Sequence, residues 1–292
     1  MTYFLQQVVN GLQLGFVYIL MALGYTMVYG VLRLINFAHA DVFMVGAFLS
    51  YYIITRFHLG FLPAVLTSIV GCGILGMVIE RIAYKPLRNA PRVCSLVTAL
   101  SMSIFLEYFT ALNFIFGPDY ITYERPIKAI HWDLGGVRIT NILLIIIGGS
   151  VLMIAFLYYI VHRTKMGKAM RAVAYDKDTA RLMGINVDSI ISLTFAIGSG
   201  MAGVGAVMYC LAYPQIWTFM GIMPGFKAFT AAVLGGIGNL AGAFVGSLII
   251  GQIEVLTTGF IPSGSILRDA ICCSVLILVL MFKPTGLFGK RE

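Results

Sequence analysis

The sequence predicts an all-α protein, a polytopic transmembrane helix bundle with about eight to nine spans and short interrupted segments. Three observations predict it. The 292-residue chain is 60% hydrophobic and only 11% charged, with a mean hydropathy of +0.93, more apolar surface than a soluble core could hide. A helix needs about 20 apolar residues to cross the hydrocarbon core, and runs of that order lie at 4–29, 61–79, 93–116, 139–161, 190–213, 240–256 and 266–282. The basic residues collect in particular loops between these runs, as they do where cytoplasmic loops retain positive charge.

The first run follows MTYFLQQVVNG, which lacks the basic start of a secretory signal and leads into an apolar segment too long for one, so it is read as a retained span. Two further segments are shorter: 42–54, preceded by the polar residues 36–41, and 221–234, which contains Pro224, Gly225 and Lys227. Counting both gives nine crossings, and either could instead be re-entrant. The basic loops 80–92 and 163–188 and the tail KPTGLFGKRE then fall inside, while 117–138, 56–60 and the region near Pro214 fall outside. The N-terminus is expected outside and the C-terminus inside, with residues 1–292 forming a single transmembrane domain.

Segment 163–188 is the long charged stretch of the chain. It carries Arg163, Lys165, Lys168, Arg171, Lys177 and Arg181 against Asp176, Asp178 and Asp188. Ala169, Met170, Ala172, Val173, Ala174, Ala180, Leu182 and Met183 favour or tolerate a helix, and Gly184 can end one in a left-handed conformation. The segment reads either as a solvated loop held inside by its charge or as a docking helix for a soluble cytoplasmic partner.

Several familiar chemistries are excluded. Gly71–Gly76 and Gly198–Gly203 match GxGxxG, but both lie within apolar spans without a preceding strand, so they read as small residues that let helices approach. Gly235, Gly236, Gly238, Gly242, Gly246 and Gly251 read the same way. A P-loop requires GxxxxGK followed by Ser or Thr, which neither Gly167-Lys168 nor Gly289-Lys290 supplies. Cys72, Cys94, Cys210, Cys272 and Cys273 lack metal-ligand spacing and read as small hydrophobes. His39, His58, His131 and His162 are scattered, each expected in a loop or at an interface rather than as a ligand. The net charge of +8 is accounted for by topology, without nucleic acid. No catalytic set, cofactor or metal is expected.

Polar residues at membrane depth carry more information, because a charge there costs roughly 2.5–3.5 kcal/mol. They are Glu107, Lys227, Glu254 and the cluster Arg33, Asn36, His39 and Asp41. Each can snorkel or pair within the bundle. Interrupted helices, however, are where transporters tend to place a substrate path. Asn36, His39, Asp41 and Lys227 flank the broken segments and are the candidate path residues, with Glu254 behind them.

At these residues the chain resembles the LivH-type permease subunits of bacterial high-affinity branched-chain amino acid ABC importers. The likeness lies in GYTMVYGVLRLINFAHADVFMVGAF (24–48), ERIAYKPLR (80–88), MSIFLEY (102–108), MGKAMRAVAYDKDTARLMGIN (166–186), GFKAFTAAVLGGIGNLAGAFVGSLIIGQIEVL (225–256) and KPTGLFG (283–289), and runs essentially end to end. It implies a second, homologous permease, a pair of cytoplasmic ATPase subunits, a periplasmic substrate-binding protein and residence in the bacterial inner membrane among its lipids. It also implies that 178–184 is a degenerate coupling motif, with Arg171, Asp178, Ala180 and Gly184 as ATPase-coupling residues; Thr179 departs from the acidic-Ala-Ala triplet and no Leu-Pro follows. Relatives of the same build move urea or short amides, which leaves the substrate open. An ion-coupled secondary transporter using Glu107, Glu254 or Asp41 would account for the buried acids but not for the docking-like loop. An intramembrane enzyme would need a convergent nucleophile and base, which the sequence lacks.

Overall fold

In hydrocarbon every backbone amide must be bonded within the protein, so apolar runs of this length close into helices. The computed structural model describes residues 2–88, 90–283 and 285–289. Among them seven helices are long and apolar enough to cross a membrane: α1 (Thr2–Leu32), α3 (Phe61–Ile79, continued as helical turns to Leu87), α4 (Arg92–Thr110), α5 (Asn141–Arg163), α8 (Val187–Ala212), α10 (Leu240–Phe260) and α11 (Gly264–Phe282). The two interrupted segments form the shorter helices α2 (His39–Thr55) and α9 (Ile222–Gly235). The expected helical bundle is thus observed.

α1 and α8 form the buried centre and pack on each other. α10, α9 and α5 pack around α1, and α3 and α2 around α8. Small residues set these seams. Ser68 Oγ donates to the carbonyls of both Gly46 (3.1 Å) and Gly203 (3.0 Å), fastening α2, α3 and α8 at one point. A Cβ on Gly251 would collide with the backbone of α1 at Gly15. The glycines of both GxGxxG matches serve this packing: Gly76 faces Ser199, Gly73 the Ala196 carbonyl and Gly198 that of Gly24. α4, α5 and α11 lie at the periphery and turn apolar faces outward, including Leu100 and Phe105, Leu152 and Phe156, and Ile277 and Met281. Such faces suit lipid.

The segment between α4 and α5 adds what the all-α expectation did not contain: two short antiparallel ribbons. β1 (Ile121–Thr122) pairs with β4 (Gln215–Ile216), and β2 (His131–Leu134) with β3 (Val137–Thr140). The first ribbon folds the loop back over the helix ends, which buries Tyr123 and lets its hydroxyl bond Ser50 at 3.2 Å. This end also holds the start of α1, where Gln6 bonds Arg138, and the end of α10, where the Tyr3 hydroxyl donates to the Gly259 carbonyl. Lys85, Arg88 and the charged segment 163–188 gather elsewhere, around the end of α3 and the start of α8.

Segment 163–188 is two helices rather than one: α6 (Lys165–Tyr175) and α7 (Lys177–Leu182). Asp176 makes the break. Its backbone is extended, and its carboxylate accepts from the amides of Asp178 (2.9 Å) and Thr179 (3.3 Å). An Asp so placed caps a new helix start instead of continuing the old one. Gly184 ends α7 as expected, with φ +80° and with bonds from Gly184 N–H to Arg181 and from Ile185 N–H to Ala180 that form a Schellman closure.

Candidate substrate path and docking segment

The two short helices begin inside the bundle rather than at its surface. α1 runs on to Leu32, Arg33 takes a left-handed turn (φ 58°), and residues 33–38 run back beside α1 without helical structure before α2 starts. His39, the first residue of α2, lies against Gly24, two turns before the end of α1. α9 begins against the same place: a Cβ on Gly221 would strike the Ala40 carbonyl, and one on Gly225 would strike the Ala40 side chain. The amino ends of the two shorter helices therefore meet inside the bundle, each bringing the positive end of its helix dipole.

The side chains around the start of α2 are polar and sparsely partnered. Asn36 is buried; its Oδ1 accepts from the Tyr84 hydroxyl at 2.9 Å, while its amide nitrogen has no partner. His39 is fully buried between α1 and α8, with its ring 4.5 Å from that of Tyr25 and neither nitrogen in a well-formed hydrogen bond. The loop or interfacial position expected for it is therefore corrected. The close approach permitted by Gly24 admits the imidazole into the helix seam. Asp41, also buried, accepts from Ser103 Oγ of α4 and faces the Glu107 carboxyl one turn further along that helix. No Lys or Arg pairs with Asp41 among the described residues.

The start of α9 is different. Lys227 Nζ is buried 2.6 Å from Glu254 Oε1 of α10 and 2.7 Å from Asp269 Oδ1 of α11. Tyr18 of α1 donates to the other Glu254 oxygen at 2.7 Å, and Arg268 approaches both acids at 3.9 and 3.6 Å. Two cations and two acids thus close a neutral cluster that ties four helices. Of the five path candidates, the structure brings Asn36, His39 and Asp41 to one break, and Lys227 and Glu254 to each other. Asp269 and Arg268 escaped the sequence reading because they open an exposed peripheral helix; their spacing one turn from its start was the available signal.

The coupling candidates lie on α6 and α7. Ala180 is buried beneath α7, Asp178 is exposed with Arg181 3.6 Å away, and Gly184 is the exposed turn just described. Arg171 folds back onto the Val161 carbonyl at the end of α5, where a cation suits the helix C-terminus. Three large apolar side chains stand out of this charged segment: Tyr175 (93% exposed), Leu182 (88%) and Met183 (78%). Partial burial first, and then the Arg88, Arg181 and Arg33 cations, hold the Lys177 ammonium below its ordinary pKa, which marks a concentration of positive charge beside them.

Residues 7–280 match the family described as branched-chain amino acid transport system / permease component. The chain belongs to that family. It is 38% identical over 307 residues to the high-affinity branched-chain amino acid transport system permease protein LivH of Salmonella typhimurium, with 99% of this chain and 97% of that one covered. It is 39% identical over 303 residues to LivH of Escherichia coli K12 and 39% identical over 300 residues to BraD of Pseudomonas aeruginosa, at the same coverages. Among solved structures, PsaBC from Streptococcus pneumoniae in complex with Fab is similar at a TM-score of 0.49 and 12% identity, covering 96% of this chain and 92% of that one. The permease is a multi-pass membrane protein of a transport family.

Proposed function

We propose that the permease carries branched-chain amino acids through the bacterial inner membrane as the spanning subunit of an ATP-driven importer. In this reading it works beside a second homologous permease, a pair of cytoplasmic ATPase subunits and a periplasmic binding protein, and it has no catalytic activity of its own. The observation that carries the reading is the near-complete likeness, at 38–39% identity, to high-affinity branched-chain amino acid permeases. The basic end of the molecule faces the cytoplasm, following the inside rule.

Substrate passes the break before α2, near Asn36, His39 and Asp41. A binding protein supplies the discrimination, so the membrane path needs only weak polar contacts; incompletely partnered groups provide them without retaining the cargo. Lys227 and Glu254 brace the second break. Docking uses α7 and its closing turn. Leu182 and Met183 stand exposed at the tip of α7 and Tyr175 at the end of α6, apolar side chains on a cationic segment, which suits an ATPase cleft with an apolar floor and an acidic rim. Ala180 and Gly184 set the shape of the tip, Asp178 lies on its exposed side, and Arg171 holds α6 against α5.

Proteoliposomes holding the assembled importer test this reading. ATP and leucine-loaded binding protein should drive leucine uptake, and Gly184→Glu should abolish both uptake and stimulated ATP hydrolysis while membrane insertion stays normal. Uptake that follows an ion gradient without the ATPase subunits would contradict the reading and support a secondary transporter.

A further inference from the structure

The end of α3 departs from regular helix where it meets the start of α8. Glu80–Tyr84 form a π-helical turn and Lys85–Leu87 a 3-10 turn; π-turns hold an extra residue and recur at functional positions. Facing them, Asp188, Ser192 and Phe195 share one side of α8 at helical spacing. Each meets a residue of the irregular segment. Asp188 takes Arg88 and, at 3.0 Å, Lys85. Ser192 donates to Glu80, which is fully buried and also takes Arg88. Phe195 lies with its ring 5.2 Å from that of Tyr84. The Tyr84 hydroxyl then reaches Asn36 in the non-helical stretch before α2.

One side of this chain of contacts begins three residues beyond Ile185, where the α7 closing turn ends. The other side ends on the segment that sets where α2 begins. We propose that Asp188, Arg88, Glu80, Tyr84 and Asn36 form the relay through which movement of the docking segment shifts the break before α2, with Tyr84 and Arg88 as positioning residues. The inference rests on the transport reading above. Coupling between sites needs an element with discrete alternative arrangements. The π-turn supplies one, because its extra residue can pass along the helix and re-aim Tyr84 without breaking the helix. Glu80 and Asp188 share one guanidinium, so a displacement of α8 at Asp188 reaches Glu80 directly. Asn36 has Tyr84 as its side-chain partner and an otherwise unbonded amide nitrogen, so that single bond is what the relay has to move.

The test introduces Ile35→Cys into a chain whose five native cysteines are replaced, and uses the assembled importer in proteoliposomes. Labelling of that position by a membrane-permeant maleimide is measured together with leucine moved per ATP hydrolysed. Tyr84→Phe keeps the ring against Phe195 and removes only the hydroxyl; Asp188→Asn removes the charge far from the break. Each is expected to raise the labelling rate about fivefold and to lower leucine per ATP by a similar factor, with basal hydrolysis retained. Arg88→Lys, which preserves charge but not the fork, should fall between Arg88→Met and wild type. Unchanged labelling and unchanged leucine per ATP in Tyr84→Phe and Asp188→Asn would overturn the relay. If the unsubstituted importer moves no leucine with ATP, the transport reading fails instead, and the labelling result alone decides the relay.

Discussion

The breaks before α2 and α9 look alike in sequence, each a short apolar run with polar residues beside it, yet they are resolved in opposite ways. At α9 every buried charge has a counter-charge: Lys227 lies between Glu254 and Asp269, with Tyr18 and Arg268 completing the cluster. At α2, Asp41 faces another carboxyl and a serine, the His39 nitrogens lack well-formed bonds, and the Asn36 amide nitrogen is unbonded. A compensated charge in the membrane fastens helices. A sparsely partnered one is costly to keep there and points to function.

The largest effect is expected at the braced break. Lys227→Met strands Glu254 and Asp269 without their buried cation, a loss of about 3–5 kcal/mol. The yield of folded, monodisperse protein in detergent should collapse, and Glu254→Gln in the same chain should restore part of it. Normal yield from the single variant would show that the cluster does not brace α9. Asp41→Asn should behave in the opposite manner. The amide can still accept from Ser103, so thermal stability should change by no more than about 1 kcal/mol, while leucine moved per ATP falls about tenfold, as for loss of a contact worth ~1.4 kcal/mol. Wild-type transport in that variant would place the path away from α2. Tyr18→Phe should have the smallest effect on transport. It removes one bond to Glu254 worth about 1.5 kcal/mol, lowering the melting temperature by a few degrees with leucine per ATP unchanged; a transport defect without a stability defect would blur the distinction between the breaks.

Much of the fold was legible because hydrocarbon enforces it. A run such as 61–79 has no alternative to helix, and α3 begins and first loses regularity at those residues. The extramembrane parts were less legible, since water can satisfy their backbone. Asp176 could have been an exposed helical residue, but its carboxylate captures two amides and divides the docking segment into α6 and α7. The loop after α4 shows no apolar periodicity, and its ribbon depends on β4, nearly a hundred residues away. At the candidate site, the sequence marked which residues are polar at depth but not which of them are paired. Asp269 opens a peripheral helix and Lys227 lies on another, and only packing puts their charges 2.7 Å apart. Glu80 read as a loop acid before a basic run, whereas burial against Ser192 and Arg88 makes it part of the helix end.

The contrast can be measured within one molecule. Cys272 is a buried native thiol close enough to Lys227, Glu254 and Asp269 to sense their charges, and Ser103 contacts Asp41 directly. In a chain with Ser103→Cys and with Cys72, Cys94, Cys210 and Cys273 replaced, a permeant thiol reagent reports on both breaks during turnover. The S103C thiol should react when ATP and leucine-loaded binding protein are supplied together, and be slow when either is withheld, while Cys272 stays unreactive throughout. Turnover-dependent reaction at Cys272 with an inert S103C thiol would contradict the account and assign the path to α9.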